Sequence, residues 1–149
     1  MSGNSEKLIA LNYFGGKFTI VDKLVERFPQ HTHFVDVFCG SMAVILNKRP
    51  SQIDTANDKN GNVVNFFRVL RDRPDELISK LLLTPIAREE YNNCWVGSQP
   101  EYWKDIDDVE RARRFFVRTR QSFCGLGSQR KNKGWHLVKT TSRSHAPET

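Results

Sequence analysis

Two short stretches carry residue types suited to ligand chemistry: Tyr13-Phe-Gly-Gly-Lys17 and, about twenty residues later, Asp36-Val-Phe-Cys-Gly40-Ser41. The first is a glycine turn that ends in a cation just before a helical pattern. The second is a strand tip that ends in an acid and a small-residue loop. Gly40 permits a tight turn there, and the helix that follows presents unpaired backbone N–H groups at its start. A second acid, Asp58, closes the next candidate strand in Thr55-Ala-Asn-Asp-Lys-Asn60. An acid in that position is placed to take two ribose hydroxyls, and its competing role is to cap the helix that begins near Asn60. This order describes loops at the carboxyl edge of a parallel sheet holding a nucleotide-like molecule.

Other chemistries fit less well. A phosphate loop needs Gly five residues before its second Gly and Ser or Thr after its Lys; Leu11 and Phe18 stand in those places. The dinucleotide pattern G-x-G-x-x-G is absent from the Gly40 loop, which argues against a dehydrogenase. His31 and His33 lack a third ligand nearby, so they read as surface residues and no metal site is expected. Cys39, Cys94 and Cys124 form no CxxC pair, and their odd number does not suggest a disulfide framework. Reduced thiols in a cytoplasmic protein are the expectation.

The elements that must position these residues follow from hydrophobic spacing. Ile20, Val21, Leu24, Val25 and Phe28 share one face of a helix predicted over residues 17–28, which Pro29 ends. Residues 34–38 read as a short buried strand, residues 42–47 as a helix and residues 51–56 as a second strand. A helix over residues 60–71 would turn Val63, Phe66, Phe67 and Leu70 inward, and Pro74 suits the first turn of another that ends near Leu83. Residues 85–106 mix helical and loop signals. Asp107 with Glu110 resembles a capping box for a helix ending near Gln121, with Ala112, Phe115 and Phe116 buried. From Phe123 onward, glycines alternate with Arg130, Lys131 and Lys133 in a basic loop, and residues 139–149 read as disordered. The alternation of helices and strands implies an α/β layer fold. Only two strands are visible, so the sheet reads as incomplete and the chain as one part of a larger domain.

Composition sets the outer bounds. The chain has 149 residues, 38% hydrophobic, with Phe 10, Trp 3 and Tyr 3, enough for one domain with a core. The opening stretch Asn4-Ser-Glu-Lys7 is polar and is not expected to act as a secretory signal, and no apolar run is long enough to cross a bilayer. The net charge of +6 is unevenly spread: residues 111–143 hold ten basic and no acidic residues, which leaves 13 basic against 17 acidic elsewhere. A basic end on a near-neutral body suggests a polyanion partner, most simply nucleic acid; the alternative is a solvated helix face with a disordered tail.

Taken together, these residues resemble the amino-terminal part of a Dam-like DNA adenine N6-methyltransferase, the D12 class. Tyr13-Phe-Gly-Gly-Lys17 is similar to that family's [WY]-x-G-G-K opening, Asp36-Val-Phe-Cys-Gly40-Ser41 to its [DE]-P-F-x-G-[SA]-G loop, and Ala56-Asn-Asp58-Lys-Asn60 to its A-D-x-N segment. Phe123-Cys-Gly-Leu126 with Arg130-Lys-Asn132 resembles the start of its DNA-recognition region. The resemblance covers roughly residues 8–135. It implies a Rossmann-like S-adenosylmethionine-dependent fold, with cofactor-binding residues over 1–84 and the start of a mainly helical DNA-recognition region over 85–149. Cofactor contacts would come from Tyr13, Gly15, Gly16, Lys17, Asp36, Phe38, Gly40 and Asp58, although Lys17 could instead face DNA. Contacts to double-stranded DNA would come from Arg118, Arg120, Phe123, Arg130, Lys131 and Lys133, with Phe123 either a wedge in the duplex or a core aromatic.

The sequence also departs from the family pattern. Val37 replaces the usual Pro, Met42 stands where the loop's second Gly is expected, and Cys124 replaces an Asn. The family's D-P-P-Y motif, which receives the amine hydrogens of the target adenine, occurs nowhere in the 149 residues. The chain alone is therefore expected not to methylate DNA and to need a missing carboxyl-terminal half or self-association. A non-catalytic DNA-binding protein that keeps part of the fold is the alternative.

Overall fold

The computed structural model describes residues 7–95, 105–128 and 134–136. A short 3-10 turn, Phe18–Ile20, runs into helix α1, Val21–Val25. Strand β1, His33–Asp36, is followed by helix α2, Ala43–Asn47, and strand β2, Ile53–Ala56. Then come four helices: α3, Gly61–Asp72; α4, Pro74–Leu82; α5, Arg88–Asn93; and α6, Asp108–Arg120. A 3-10 turn, Phe123–Ser128, closes the described core.

β1 and β2 pair in parallel, with Phe34 opposite Asp54 and Asp36 opposite Ala56. Phe34 packs beside Phe28, ring centroids 5.2 Å apart, and under the Lys48 ammonium at 4.9 Å. Lys48 is itself buried and paired with Asp54 at 2.6 Å, which joins the end of α2 to β2. The strand predicted at residues 34–38 was read as buried; it is not. It ends at Asp36, and Val35, Val37 and Phe38 are 47%, 50% and 74% exposed, as is Ile53 at 57%. Strand residues alternate between faces, so His33, Val35, Ile53 and Thr55 share one face. Among the described residues that face carries no covering layer, and its polar contact is His33 Nε2 with Thr55 Oγ1 at 2.9 Å. Parallel sheets are ordinarily covered on both faces; among the described residues this pair is covered on one.

The core lies to one side of the strands. Leu11, Cys39, Val63, Phe66, Val69, Leu77, Val109, Ala112 and Phe115 form one buried cluster, with Phe67, Leu70, Leu81 and Phe116 packed against it. The residues expected to face inward from α3 and α6 all belong to it. Packing is therefore continuous across residues 84 and 85, and α6 leans on α3 as much as on anything near it in sequence. Asn65 Nδ2 donates to Asp108 O at 2.8 Å and Arg111 Nη2 to Gly61 O at 2.6 Å, which sets the register between the two helices.

Helix starts follow local chemistry. Asn60 caps α3 by accepting from Asn62 N at 3.0 Å, Pro74 opens α4, and Asp107 caps α6 by accepting from Val109 N and Glu110 N. The reciprocal half of the expected capping box is not made. Glu110 instead accepts from Arg113 and Arg114 at 2.7–2.8 Å and lies 3.6 Å from Lys80. A smaller cluster of Tyr91, Cys94 and Val117, flanked by Trp95 and Trp135, fastens α5 to α6.

Candidate functional site

The glycine turn is closed by a hydrogen bond from Gly16 N to Tyr13 O at 2.9 Å, with Gly15 at φ 75°. A Cβ on Gly16 would fall 2.9 Å from Tyr13 O and 3.2 Å from Ser41 Oγ, so the turn sits tightly against the second loop. That loop is tied to the end of β2 by four hydrogen bonds, two between backbone groups and two through the side chains of Asn57 and Asp58. Asn57 N donates to Asp36 O, Cys39 N to Asn57 O, Asn57 Nδ2 to Val37 O, each at 2.9 Å, and Gly40 N donates to Asp58 Oδ2 at 2.9 Å. The other Asp58 oxygen accepts from Asn60 N at 2.8 Å. Asp58 thus clamps the Gly40 loop to the start of α3, while the cap itself belongs to Asn60. Gly40 has φ 49°, and a Cβ there would lie 3.2–3.3 Å from the Tyr13 ring.

Met42 adopts the backbone that a second glycine would take, with φ 54° and ψ 20°. Its side chain packs against the main core and does not line the cleft. A left-handed backbone at a non-glycine residue costs about 1 kcal/mol.

These elements enclose a cleft of about 380 Å3. Tyr13, Gly15, Gly16, Lys17, Asp36, Phe38, Gly40 and Asp58 all line it. Lys17 Nζ donates to Phe38 O at 3.3 Å and lies 3.9 Å from Asp36 Oδ1. Asp36 is 8% exposed, and its Oδ2 is buried without a hydrogen-bond partner. A buried carboxylate oxygen left without a donor is costly. Burial pushes the Cys39 thiol up to about 11, with Asp58 and Asp36 adding to it. The thiol at the cleft wall therefore stays protonated and is no nucleophile. Sequence reasoning missed Phe14, Cys39, Ser41, Ala43 and Val44 as lining residues and Asn57 as the stitch between strand ends. For Asn57 the signal was there, inside the Ala56-Asn-Asp58 motif. Among the described residues no group of three or more His, Cys, Asp and Glu could hold a metal, and no helix is long and apolar enough to cross a membrane.

The basic segment is less available than its composition suggested. Arg113 donates to Glu110, Glu90 and Thr84, Arg114 to Glu110, and Arg111 to Gly61 and Asn62. Arg118, expected to face DNA, is 5% exposed and stacks over Trp95 at 5.2 Å and Phe115 at 5.7 Å. Burial pushes its pKa down to about 10. A surface phosphate cannot reach it without opening this packing. Arg120 is exposed on the last turn of α6, and Phe123 is 57% exposed with its ring centroid 5.3 Å from that of His136. The reading of Phe123 as a core aromatic therefore does not describe it. Arg130, Lys131 and Lys133 lie outside the described residues.

Comparison with known proteins agrees with the layout. The sequence model of the D12 class N6 adenine-specific DNA methyltransferases matches residues 13–146. The chain is 23% identical over 127 residues to a DNA adenine methylase of Vibrio cholerae, covering 85% of this chain and 46% of the relative. It is 28% identical over 115 residues to the DNA N-6-adenine-methyltransferase of Escherichia phage P1, covering 75% of this chain and 15% of the relative. It is 29% identical over 125 residues to a type II methyltransferase of Lactococcus lactis subsp. cremoris, covering 75% of this chain and 40% of the relative. The chain thus spans less than half the length of each of these relatives. A match over almost the whole of a chain whose three motif loops meet in one cleft leaves a single conclusion: the chain belongs to the D12 class of N6 adenine-specific DNA methyltransferases.

Proposed function

We propose that this chain supplies the donor-binding part, and the opening of the DNA-recognition part, of an enzyme that moves a methyl group from S-adenosylmethionine to the N6 amine of adenine in duplex DNA. The observation that carries this reading is the meeting of the Tyr13 turn, the Gly40 loop and Asp58 around the unpartnered Asp36 oxygen.

The donor set fits a sulfonium zwitterion bearing a ribose and an adenine. The Asp36 carboxylate, on the cleft wall, would take the ammonium of the amino-acid end. Gly16 and Gly40 line the cleft with bare backbone, and a Cβ at either would press on Tyr13. The Tyr13 ring, against Gly40, offers its face to a cation. Each Asp58 oxygen already accepts one backbone N–H and keeps a second acceptor site for a ribose hydroxyl. Lys17, held by the Phe38 carbonyl, offsets the charge of Asp36 on the cleft wall. The bound cofactor supplies an activated methyl group; the residues of this chain hold and orient it.

Positioning of the target amine needs groups that accept its hydrogens, and no Pro-Pro pair occurs in this sequence. Those groups would come from residues beyond this stretch, and the chain by itself would not transfer methyl groups. The exposed sheet face at His33, Val35 and Ile53 is where the rest of such an enzyme, or a second copy, would pack. Duplex DNA would approach the side that carries Arg120 and Phe123.

Titration calorimetry with S-adenosylmethionine, ATP and NAD in turn tests the reading. Saturable binding of S-adenosylmethionine alone is expected. Equal binding of ATP or NAD would contradict it. Binding of a DNA duplex with no response to any of the three would favour a non-catalytic DNA-binding module.

A further inference from the structure

We infer that Gly125 is a positioning residue, through which the turn Phe123–Ser128 holds the Tyr13 loop over the cleft although none of the described lining residues belongs to that turn. The inference rests on the reading of the cleft as a donor site. It starts from one contact. Gly125 is buried with φ 72°, and a Cβ there would fall 2.7 Å from Asn12 O and 3.3 Å from both Asn12 C and Phe14 N. This is backbone seated on backbone, so no side-chain rotation can relieve an added atom.

The contact continues in both directions. Asn12–Phe14 enters the Tyr13–Gly16 turn directly, and the Tyr13 ring covers Gly40, whose N–H is held by Asp58. In the other direction, Gly125 N donates to Ser122 O at 3.3 Å and Ser122 Oγ to Thr119 O at 3.3 Å, fixing the turn to the end of α6. Phe123 N donates to Gly134 O and His136 N to Gln121 O, which braces the outer side. The turn therefore has an outer side bearing the exposed Phe123 and an inner side pressed on Asn12–Phe14. What binds over Phe123 moves the Tyr13 loop with it, because at Gly125 the turn rests backbone to backbone on Asn12–Phe14. Such coupling is reciprocal: a duplex on the outer side and a donor in the cleft change each other's affinity by the same factor.

The test compares Gly125→Ala with Gly134→Ala, a glycine whose added Cβ would meet nothing within 4 Å. Hydrogen exchange is read over residues 13–17, and S-adenosylmethionine affinity by calorimetry. Gly125→Ala is expected to speed exchange at residues 13–17 and to weaken donor binding, each by about tenfold or more, whereas Gly134→Ala changes neither. Wild-type exchange and affinity in a folded Gly125→Ala chain would overturn the inference. If Gly125→Ala does not fold, the wild-type chain decides: a bound DNA duplex slows exchange at residues 13–17 if the inference holds, and unchanged exchange, or no duplex binding, overturns it. A chain that binds no S-adenosylmethionine but whose residues 13–17 respond to Gly125→Ala alone would sink the donor reading and keep the positioning role.

Discussion

Glu110→Gln removes one charge from the point where three helices meet. The Glu110 carboxylate accepts two hydrogen bonds from Arg113 and one from Arg114, all within 2.8 Å, and lies 3.6 Å from Lys80 on α4. Arg113 also holds Glu90 of α5 at 2.7 Å. Burial alone would push the Glu110 carboxyl up; the hydrogen bonds from Arg113 and Arg114 outweigh it and bring it from 4.5 down to about 2. The side chain is 22% exposed, so solvent screening is partial. A carboxyl lowered that far on folding contributes about 3 kcal/mol at neutral pH, or about 2 after allowance for screening. Because the folded value lies below the unfolded one, this stability is fully present above pH 4.5 and is lost as pH falls toward 2. Urea unfolding followed by tryptophan fluorescence should show Glu110→Gln less stable than wild type by about 2 kcal/mol at pH 7. The gap should shrink to less than half of that by about pH 3. A gap that is absent at pH 7, or that stays constant through the acid range, would refute the reasoning.

Three further outcomes follow from single contacts. Met42→Gly removes left-handed strain and some core packing, so its stability should lie within about 1 kcal/mol of wild type, whereas Met42→Val, a β-branched residue at φ 54°, should lose about 2 kcal/mol or more; the reverse order in urea denaturation would contradict the backbone assignment. Arg118→Met replaces a buried guanidinium whose Nε has no hydrogen-bond partner, and should leave stability unchanged or raise it by about 1 kcal/mol, a substantial loss being the contrary result. Asp107→Ala should cost about 1–2 kcal/mol through loss of the α6 cap, read from the urea midpoint at constant slope.

What the sequence revealed, and what it hid, divides along physical lines. The cap at Asp107, the inward face of α3 and the proline start of α4 are local chemistry, written within a few neighbouring residues. The three motif loops were legible as a set because each carries its own backbone requirement. The exposure of Val35, Val37 and Ile53 was not legible: an apolar strand reads as buried only if a second layer exists, and among the described residues none covers that face. The basic run misled for a related reason. Glu90 and Glu110 lie before residue 111 in the chain, yet they neutralise Arg113 and Arg114 in space. Arg118 looked like its neighbours until its place over Trp95 was seen. Met42 keeps a glycine-like backbone without a glycine, which no residue pattern announces.

The central claim concerns one pocket assembled from three loops, and amide chemical shifts test it most directly. In a titration with S-adenosylmethionine, the amides of Gly16, Gly40 and Asn60 are read together; the first closes the Tyr13 turn and the other two donate to Asp58. The account predicts that all three shift and saturate with a single dissociation constant. Shifts confined to one loop, three unrelated constants, or no shift at saturating donor would contradict it.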